Sequence, residues 1–517
     1  MTSERERHHQ SVLERWLPRV ILAVAVLSRL WLLYISLLPY DPIIPPGDDP
    51  AVHLQIIESL KRGTFSFGAY PPGYHALILG LSLISGVAPL TVMALTAPIL
   101  VIGVTIAAYL LGSRWFSRTA GLIAAVLVAL VGTSPTLAFV DGNYPNLLAA
   151  GFLMPLGFLF LLAGLRTNPV RNSLIASLCF AAVAAIHHLT YGMLFAIVLF
   201  FLVTLGMLEH TRTISLPHRR TVTWITLAGL GLTLFLAFAV AGPYVLLPAL
   251  RDLAAGTTPT LFSDALKVPL TVNQYPEILG YFIWVGGLIG VAWVASRQTI
   301  PWERRLFLVV WMGMIFLLSR TPYSGLPARF ARELTLPLAL GAGALLAWLV
   351  QSAPSRLNRL ILTGAVAVTL VSSTVMLASG PAQLPNGFDA MVWFSAQDVT
   401  KLQALRELPQ GTRILATPSS RYYEALLPNY TYAVLPAEVA ADHEAATAAI
   451  DTGADYLFIS GLPNDNANLA KTYPYFAHHD EIKAALDRYP DIAILKTFPD
   501  GSQIKQVHPP RPAPSDE

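Results

Sequence analysis

Apolar runs long enough to cross a bilayer recur along this chain from Leu17 to Ala378, and they constrain its fold more than any other feature. A helix needs about 20 apolar residues to span the hydrocarbon core. Lipid offers no hydrogen-bond partner to the backbone, so a spanning segment must satisfy its own polar groups, as a helix does. Of 517 residues 54% are hydrophobic and only 13% charged, against about 25% charged in an ordinary soluble domain. From Leu384 the character changes. Helical patterns at Asp398 to Leu408 and Glu481 to Tyr489 alternate with the strand-like runs RILATP, DYLFIS and IAILKTF, which predicts a small α/β domain. The expectation is an α-helical polytopic membrane protein of about 11 to 13 membrane helices with a C-terminal exported α/β domain. Its parts are a cytoplasmic segment 1–16, a membrane domain 17–380, an α/β domain 385–508 and a disordered tail 509–517.

Several classes drop out. The net charge of +3 is too small in a chain of this length to suggest nucleic acid. Cys179 is the single cysteine, so no intramolecular disulfide forms. The α/β region has neither a GxGxxG nor a phosphate loop, which leaves nucleotide binding unsupported.

Loop charges set the sidedness. The run Leu17 to Leu38 lacks a small-residue cleavage pattern and reads as a retained helix. Arg5, Arg7, Arg15 and Arg19 then place the N-terminus in the cytoplasm, and the first outer loop, 39–75, outside. The loop with Arg114 and Arg118 should be cytoplasmic, so an odd number of crossings separates it from Asp49. Leu77 to Val87 is too short to span, whereas Pro89 to Leu111 is long enough. With the shorter run partial or re-entrant, later arginine-bearing loops fall in the cytoplasm. Asp141, His187, the loop Pro248 to Ile278, the segment at Arg320 and the α/β domain then share the outer face.

The first outer loop carries GDDPAVHLQIIESLKRG and then YPPGYH. Asp49 before Pro50 is a helix start, with aspartate as N-cap and proline at the first helical position. A short amphipathic helix over 50–62 follows, with Val52, Ile56 and Leu60 on one face, ending at Gly63. His53 lies one turn on and leans back toward the acids. Capping accounts for Asp49 but leaves Asp48 unexplained. Tyr70 and His75 flank an extended, proline-stiffened turn that can wall a pocket for a sugar or lipid headgroup. His187 and His188 interrupt two apolar runs, where polar side chains are costly unless they face water or a partner, and one of the two is expected to line a cavity.

In this order and with this sidedness, the acidic first loop, the helix closed by Gly63, the YPPGYH turn, LLGSRWFSRTAGLIAA (110–125), the outer Asp141 and, more loosely, PARFARELTLPLALG (327–341) resemble the GT-C superfamily of membrane glycosyltransferases. The similarity is to the branch that includes protein mannosyltransferases and lipid A aminoarabinose transferases. It implies a hexosyl- or pentosyltransferase, usually inverting. Such an enzyme moves a sugar from a polyprenyl-phosphate donor to a lipid, glycan or protein acceptor at the outer face of the cell membrane. An acid of the first outer loop would be the general base, a role the resemblance brings to Asp49 first and Asp48 second. In some members an acidic pair binds a divalent metal. Asp48, Asp49 and Asp141 are the candidate ligands here, with oxygen donors suited to Mg or Mn. A phosphate leaving group needs positive charge, and Arg320, Arg329 and Arg332 offer forked guanidinium donors, Arg329 foremost. His53, Tyr70, His75, Asp141, His187 and His188 complete the expected substrate-binding set. The competing readings are a transporter or flippase of a lipid-linked saccharide and a non-catalytic membrane scaffold. Transporters commonly carry inverted repeats, and the sequence has no convincing internal repeat.

Overall fold

The structure is a computed structural model that describes residues 3–35, 45–47, 49–65, 70–211, 216–254, 269–321, 327–352, 354–358, 360–361, 364, 396–417, 422–427, 429–435, 450, 454–461, 483–484 and 493–507. Asp48, the tail 509–517 and most of Glu481 to Tyr489 lie outside the described residues. The chain divides into two compact units, one of residues 1–37 and 59–380, the other of residues 38–58 and 381–517. The early part of the first loop thus groups with the C-terminal domain.

The first unit is helical. Its elements are α1 (Ser3–Ile35), α2 (Asp49–Lys61, shared with the other unit), α3 (Gly73–Ser85), α4 (Pro89–Trp115), α5 (Arg118–Val126), α6 (Ser134–Val140), α7 (Tyr144–Leu148), α8 (Met154–Gly164), α9 (Pro169–Ile186), α10 (His188–His210), α11 (Arg219–Ala254), α12 (Tyr275–Leu279), α13 (Tyr281–Ser296), α14 (Trp302–Ser319), α15 (Pro327–Arg332) and α16 (Thr335–Ser352). Among the described residues six helices are long and apolar enough to cross a membrane, and eight are if each of two bent pairs forms one span. The sequence reading of about 11 to 13 membrane helices also counted runs with charged ends and runs outside the described residues. Helix α3 has 13 residues, short of a full crossing, as the run Leu77 to Val87 suggested.

Small residues bring helices together where lipid supplies no hydrophobic drive. At the crossing of α13 and α16, a Cβ on Gly290 would sit 2.3 Å from the Gly341 carbonyl carbon, and one on Gly287 would sit 2.5 Å from Leu338 Cβ. Outward-facing apolar side chains such as Ile84, Leu178 and Met207 are exposed, as a lipid-facing surface requires.

Helix breaks shape the interior. A π-helical turn, Leu127–Val131, follows α5, and the chain then bends 46° into α6. The break frees backbone carbonyls that lipid cannot satisfy. Arg29, buried in α1, donates to the Gly132 carbonyl at 3.2 Å and to the Thr136 hydroxyl. The Thr133 hydroxyl donates to the Ile278 carbonyl at 2.6 Å, beside the second break, where the chain turns 110° between α12 and α13.

The second unit is α/β. A five-stranded sheet has the order β2-β1-β3-β5-β4, with β1 (Arg413–Ala416), β2 (Thr431–Val434), β3 (Tyr456–Ile459), β4 (Ala493–Thr497) and β5 (Gln503–Gln506). Strand β1 pairs parallel with β2 and β3, while β5 pairs antiparallel with β3 and β4. Strands β1, β3 and β4 coincide with the apolar runs read from sequence. Strands β2 and β5 escaped that reading because the exposed TYAV and the polar-edged QIKQ carry little apolar signal. Helix α17 (Ala396–Arg406) precedes β1, and α18 (Tyr422–Leu426) packs on the sheet through Tyr423, whose ring lies 4.9 Å from that of Phe458 in β3.

An ion-pair cluster ties α17 to the β4–β5 turn. Lys401, 3% exposed, bonds Asp398 at 2.9 Å and Asp500 at 2.5 Å. Ser502 donates its hydroxyl to Asp500 at 2.9 Å. Burial pushes the Asp500 carboxyl up, but Lys401 and Ser502 more than reverse this and hold it below the usual carboxylate range. Tyr423 donates to Asp398 at 2.7 Å. Burial, and then the Asp398 charge, push its hydroxyl well above the usual tyrosine range, so it stays a donor.

Candidate functional site

Helix α2 begins at Asp49 and closes at Gly63, whose φ of 68° a residue with a Cβ would adopt only at a cost. That matches the Asp-Pro start within a residue. The buried face differs from the expected one. Pro50, His53, Leu54 and Ile57 are buried, whereas Val52, Ile56 and Leu60 are half-exposed. A three-four spacing of apolar residues occurs on both faces, and packing selected the one that carries His53, now 1% exposed. Asp49 and His53 belong to the second unit.

In the first unit the polar residues gather at helix ends. The turn after α6 places Asp141 beside Arg332, with which it forms an ion pair. The next helix starts at Tyr144, because Asp141 terminates α6 and Gly142, at φ 73°, makes the turn. This puts Asn146 inside α7, 6% exposed. Its Nδ2 donates to Glu333 Oε1 at 2.6 Å, and its Oδ1 accepts from the Thr190 hydroxyl at 2.6 Å. Thr190 Oγ1 in turn lies 2.8 Å from His187 Nδ1.

His187 is the break between α9 and α10. Its φ of −152° is extended, and Nδ1 accepts the Thr190 N–H at 3.3 Å as an N-cap. It is buried, while His188 is exposed and meets Tyr70 edge-on at 6.3 Å. Of the two histidines, then, His187 lines a cleft, together with Asn143, Asn146, Thr190, Arg329 and Glu333. A second cleft lies across the Asn146 to Glu333 bond and is bordered by Ser134, Arg332, Thr335 and Trp311. Ser134 donates to the Arg332 carbonyl at 2.8 Å, joining α6 to α15. His75, fully buried, places Nδ1 3.2 Å from the Pro71 carbonyl and closes its own turn, with Tyr70 6.2 Å away.

The first unit therefore brings Asp141, His187, Arg329 and Arg332 together and sets Tyr70, His75 and His188 in a neighbouring aromatic group. Arg320 caps the end of α14 and lines neither cleft. Sequence reading passed over Glu333, Asn146 and Thr190. The signal for Glu333 was present, since it is the acid inside a candidate span running Pro327–Ser352. No cluster of three or more His, Cys, Asp or Glu side chains able to hold a metal occurs among the described residues. Asp141 is paired with Arg332, and Asp48, another of the candidate ligands, lies outside the described residues.

No protein-family model and no curated protein matches the sequence. The fold does match solved structures. The oligosaccharyltransferase of Archaeoglobus fulgidus in its apo form superposes with a TM-score of 0.65 at 14% identity, over 95% of this chain and 74% of that one. ArnT from Cupriavidus metallidurans in the apo state gives 0.60 at 14% identity, over 96% and 98%. The arabinofuranosyltransferase AftD from Mycobacteria gives 0.60 at 18% identity, over 95% and 40%. The chain shares the fold of these three solved structures, and its long apolar helices make it a multi-pass membrane protein.

Proposed function

We propose that this protein is a membrane glycosyltransferase that moves a sugar from a polyprenyl-phosphate-linked donor to an acceptor hydroxyl at the outer face of the membrane. The observation that carries the reading is the meeting of Asp141, Arg332, Arg329, Glu333, Asn146 and His187 at the broken ends of membrane helices in a GT-C-like fold. Ionisable groups inside a membrane protein are expensive, and they mark substrate paths. Structures of the same fold hold carriers of this type: ArnT is bound to undecaprenyl phosphate, and AglB from Archaeoglobus fulgidus is in complex with an inhibitory peptide and a dolichol-phosphate.

In this reading the forked guanidinium of Arg329 stabilises the phosphate that leaves. Arg332 is held by Asp141, and Glu333 by Asn146, so the cluster is organised before substrate arrives. Asp49 is the general base that takes the acceptor proton as the glycosidic bond forms, with inversion at the anomeric carbon. The N-terminus is cytoplasmic, and the α/β unit faces outward.

The test uses the purified full-length protein in detergent, a panel of polyprenyl-phosphate sugars and lipid, glycan and peptide acceptors. Transfer from one donor is expected, and Asp49→Asn should lower its rate about 10²- to 10⁴-fold. An Asp49→Asn variant at the normal rate refutes the base assignment. Failure of the wild type with every donor, alongside passage of a lipid-linked saccharide across vesicles, would favour the flippase reading.

A further inference from the structure

The α/β unit hydrogen-bonds the chain just ahead of the proposed base. Tyr422, fully buried in α18, donates its hydroxyl to the Pro45 carbonyl at 2.8 Å, 377 residues away in sequence and within the same compact unit. Pro45, Pro46 and Gly47 are buried as well. Two prolines have fixed φ angles and no N–H, so a carbonyl is the group by which such a stretch can be held.

The neighbouring Tyr423 anchors α18 from its other side. Its hydroxyl bonds Asp398, Asp398 is paired with Lys401, and Lys401 is paired with Asp500 on the β4–β5 turn. A helix of only five residues has little stability alone. Here it is fixed to α17 and the sheet by Tyr423 and presents Tyr422 to the loop. The chain of contacts ends four residues before Asp49.

We infer that Tyr422 is a positioning residue for transfer, holding the Pro45 to Gly47 segment so that Asp49 starts α2 in one place, and that the α/β unit thereby takes part in turnover. This rests on the reading of Asp49 as general base. Misplacing a general base costs rate more than binding.

Tyr422→Phe removes the hydroxyl and keeps the ring. It should lower kcat roughly three- to tenfold, the value of one buried hydrogen bond, and leave KM for donor and acceptor within about twofold. Hydrogen exchange of the full chain should rise in the peptide covering 45–58. Tyr430→Phe is the control, because it makes the same chemical change in the same unit at a hydroxyl that bonds the Arg406 and Leu408 carbonyls instead. It should leave both readouts at wild-type values. Equal effects of the two variants, or wild-type exchange and kcat in Tyr422→Phe, overturn the inference. If Asp49→Asn transfers at the normal rate, the base reading fails separately, and the exchange data still report whether Tyr422 holds the loop.

Discussion

Replacing Asn146 by leucine keeps the number and branching of the side-chain heavy atoms and removes the hydrogen bonds that Asn146 makes to Glu333 and accepts from Thr190. The bond to Glu333, at 2.6 Å, has a carboxylate acceptor, and such bonds contribute about 1.5–3 kcal/mol. The bond from Thr190, also 2.6 Å, is neutral and contributes about 0.5–1.5 kcal/mol. Losing both costs about 2–4.5 kcal/mol of organisation. If the network is needed in the transition state, kcat/KM for sugar transfer falls by roughly 30- to 2000-fold at 1.36 kcal/mol per tenfold. The decisive assay is a double-mutant cycle on kcat/KM with Glu333→Gln. Residues bonded to each other should show a coupling of about 0.5–3 kcal/mol. Effects that add to within about 0.5 kcal/mol would mean that Asn146 and Glu333 act independently, and the reading of a connected site would fail.

Other parts of the molecule carry their own tests. Asp141→Asn should lower transfer to the same extent with and without EDTA, because Asp141 is paired with Arg332; an effect that vanishes in EDTA would make it a metal ligand. Glu303 is 1% exposed and accepts from Arg166 at 2.7 and 3.0 Å. Arg166→Met strands that buried carboxylate at a cost of about 3–5 kcal/mol, scaled down because half of the Arg166 side chain is exposed. Thermal unfolding in detergent should show the loss, with Glu303→Leu restoring part of it. Gly341→Val drives a side chain into Val291 and the Gly290 backbone, so at least 1–3 kcal/mol of overpacking, roughly, should appear in the same measurement. Asp500 has a lowered pKa in the fold. Its contribution is present above the unfolded value of about 3.9 and is lost as pH falls through the lower folded value. Pepsin cleavage of the α/β unit should therefore rise below about pH 4, and Lys401→Met should remove much of that dependence.

Much of the architecture was legible in local patterns. Apolar run length marked α4, α9 and α10 as spans and α3 as too short, because transfer into lipid depends on each segment's own composition. Asp49-Pro50 and Gly63 marked the ends of α2, because caps are made by residues a turn apart. The arginines and Asp141 stood out as charges beside apolar helices.

Tertiary structure decided the rest. Glu333 meets Asn146 across 187 residues, and Arg29 meets the Gly132 carbonyl across 103. No periodicity encodes such pairs, since they exist only where separate helix breaks are packed side by side. The buried face of α2 was likewise a choice between two apolar stripes that only a packed partner could make. The sequence by itself determined the spans α4, α9 and α10, the helix α2 and the apolar strands β1, β3 and β4, because those follow from short-range sterics and from the cost of placing polar groups in lipid. Only the folded chain determined which charges are neutralised, which histidine enters a cleft and that residues 38–58 join the C-terminal unit, because each depends on what distant segments bring to the same place.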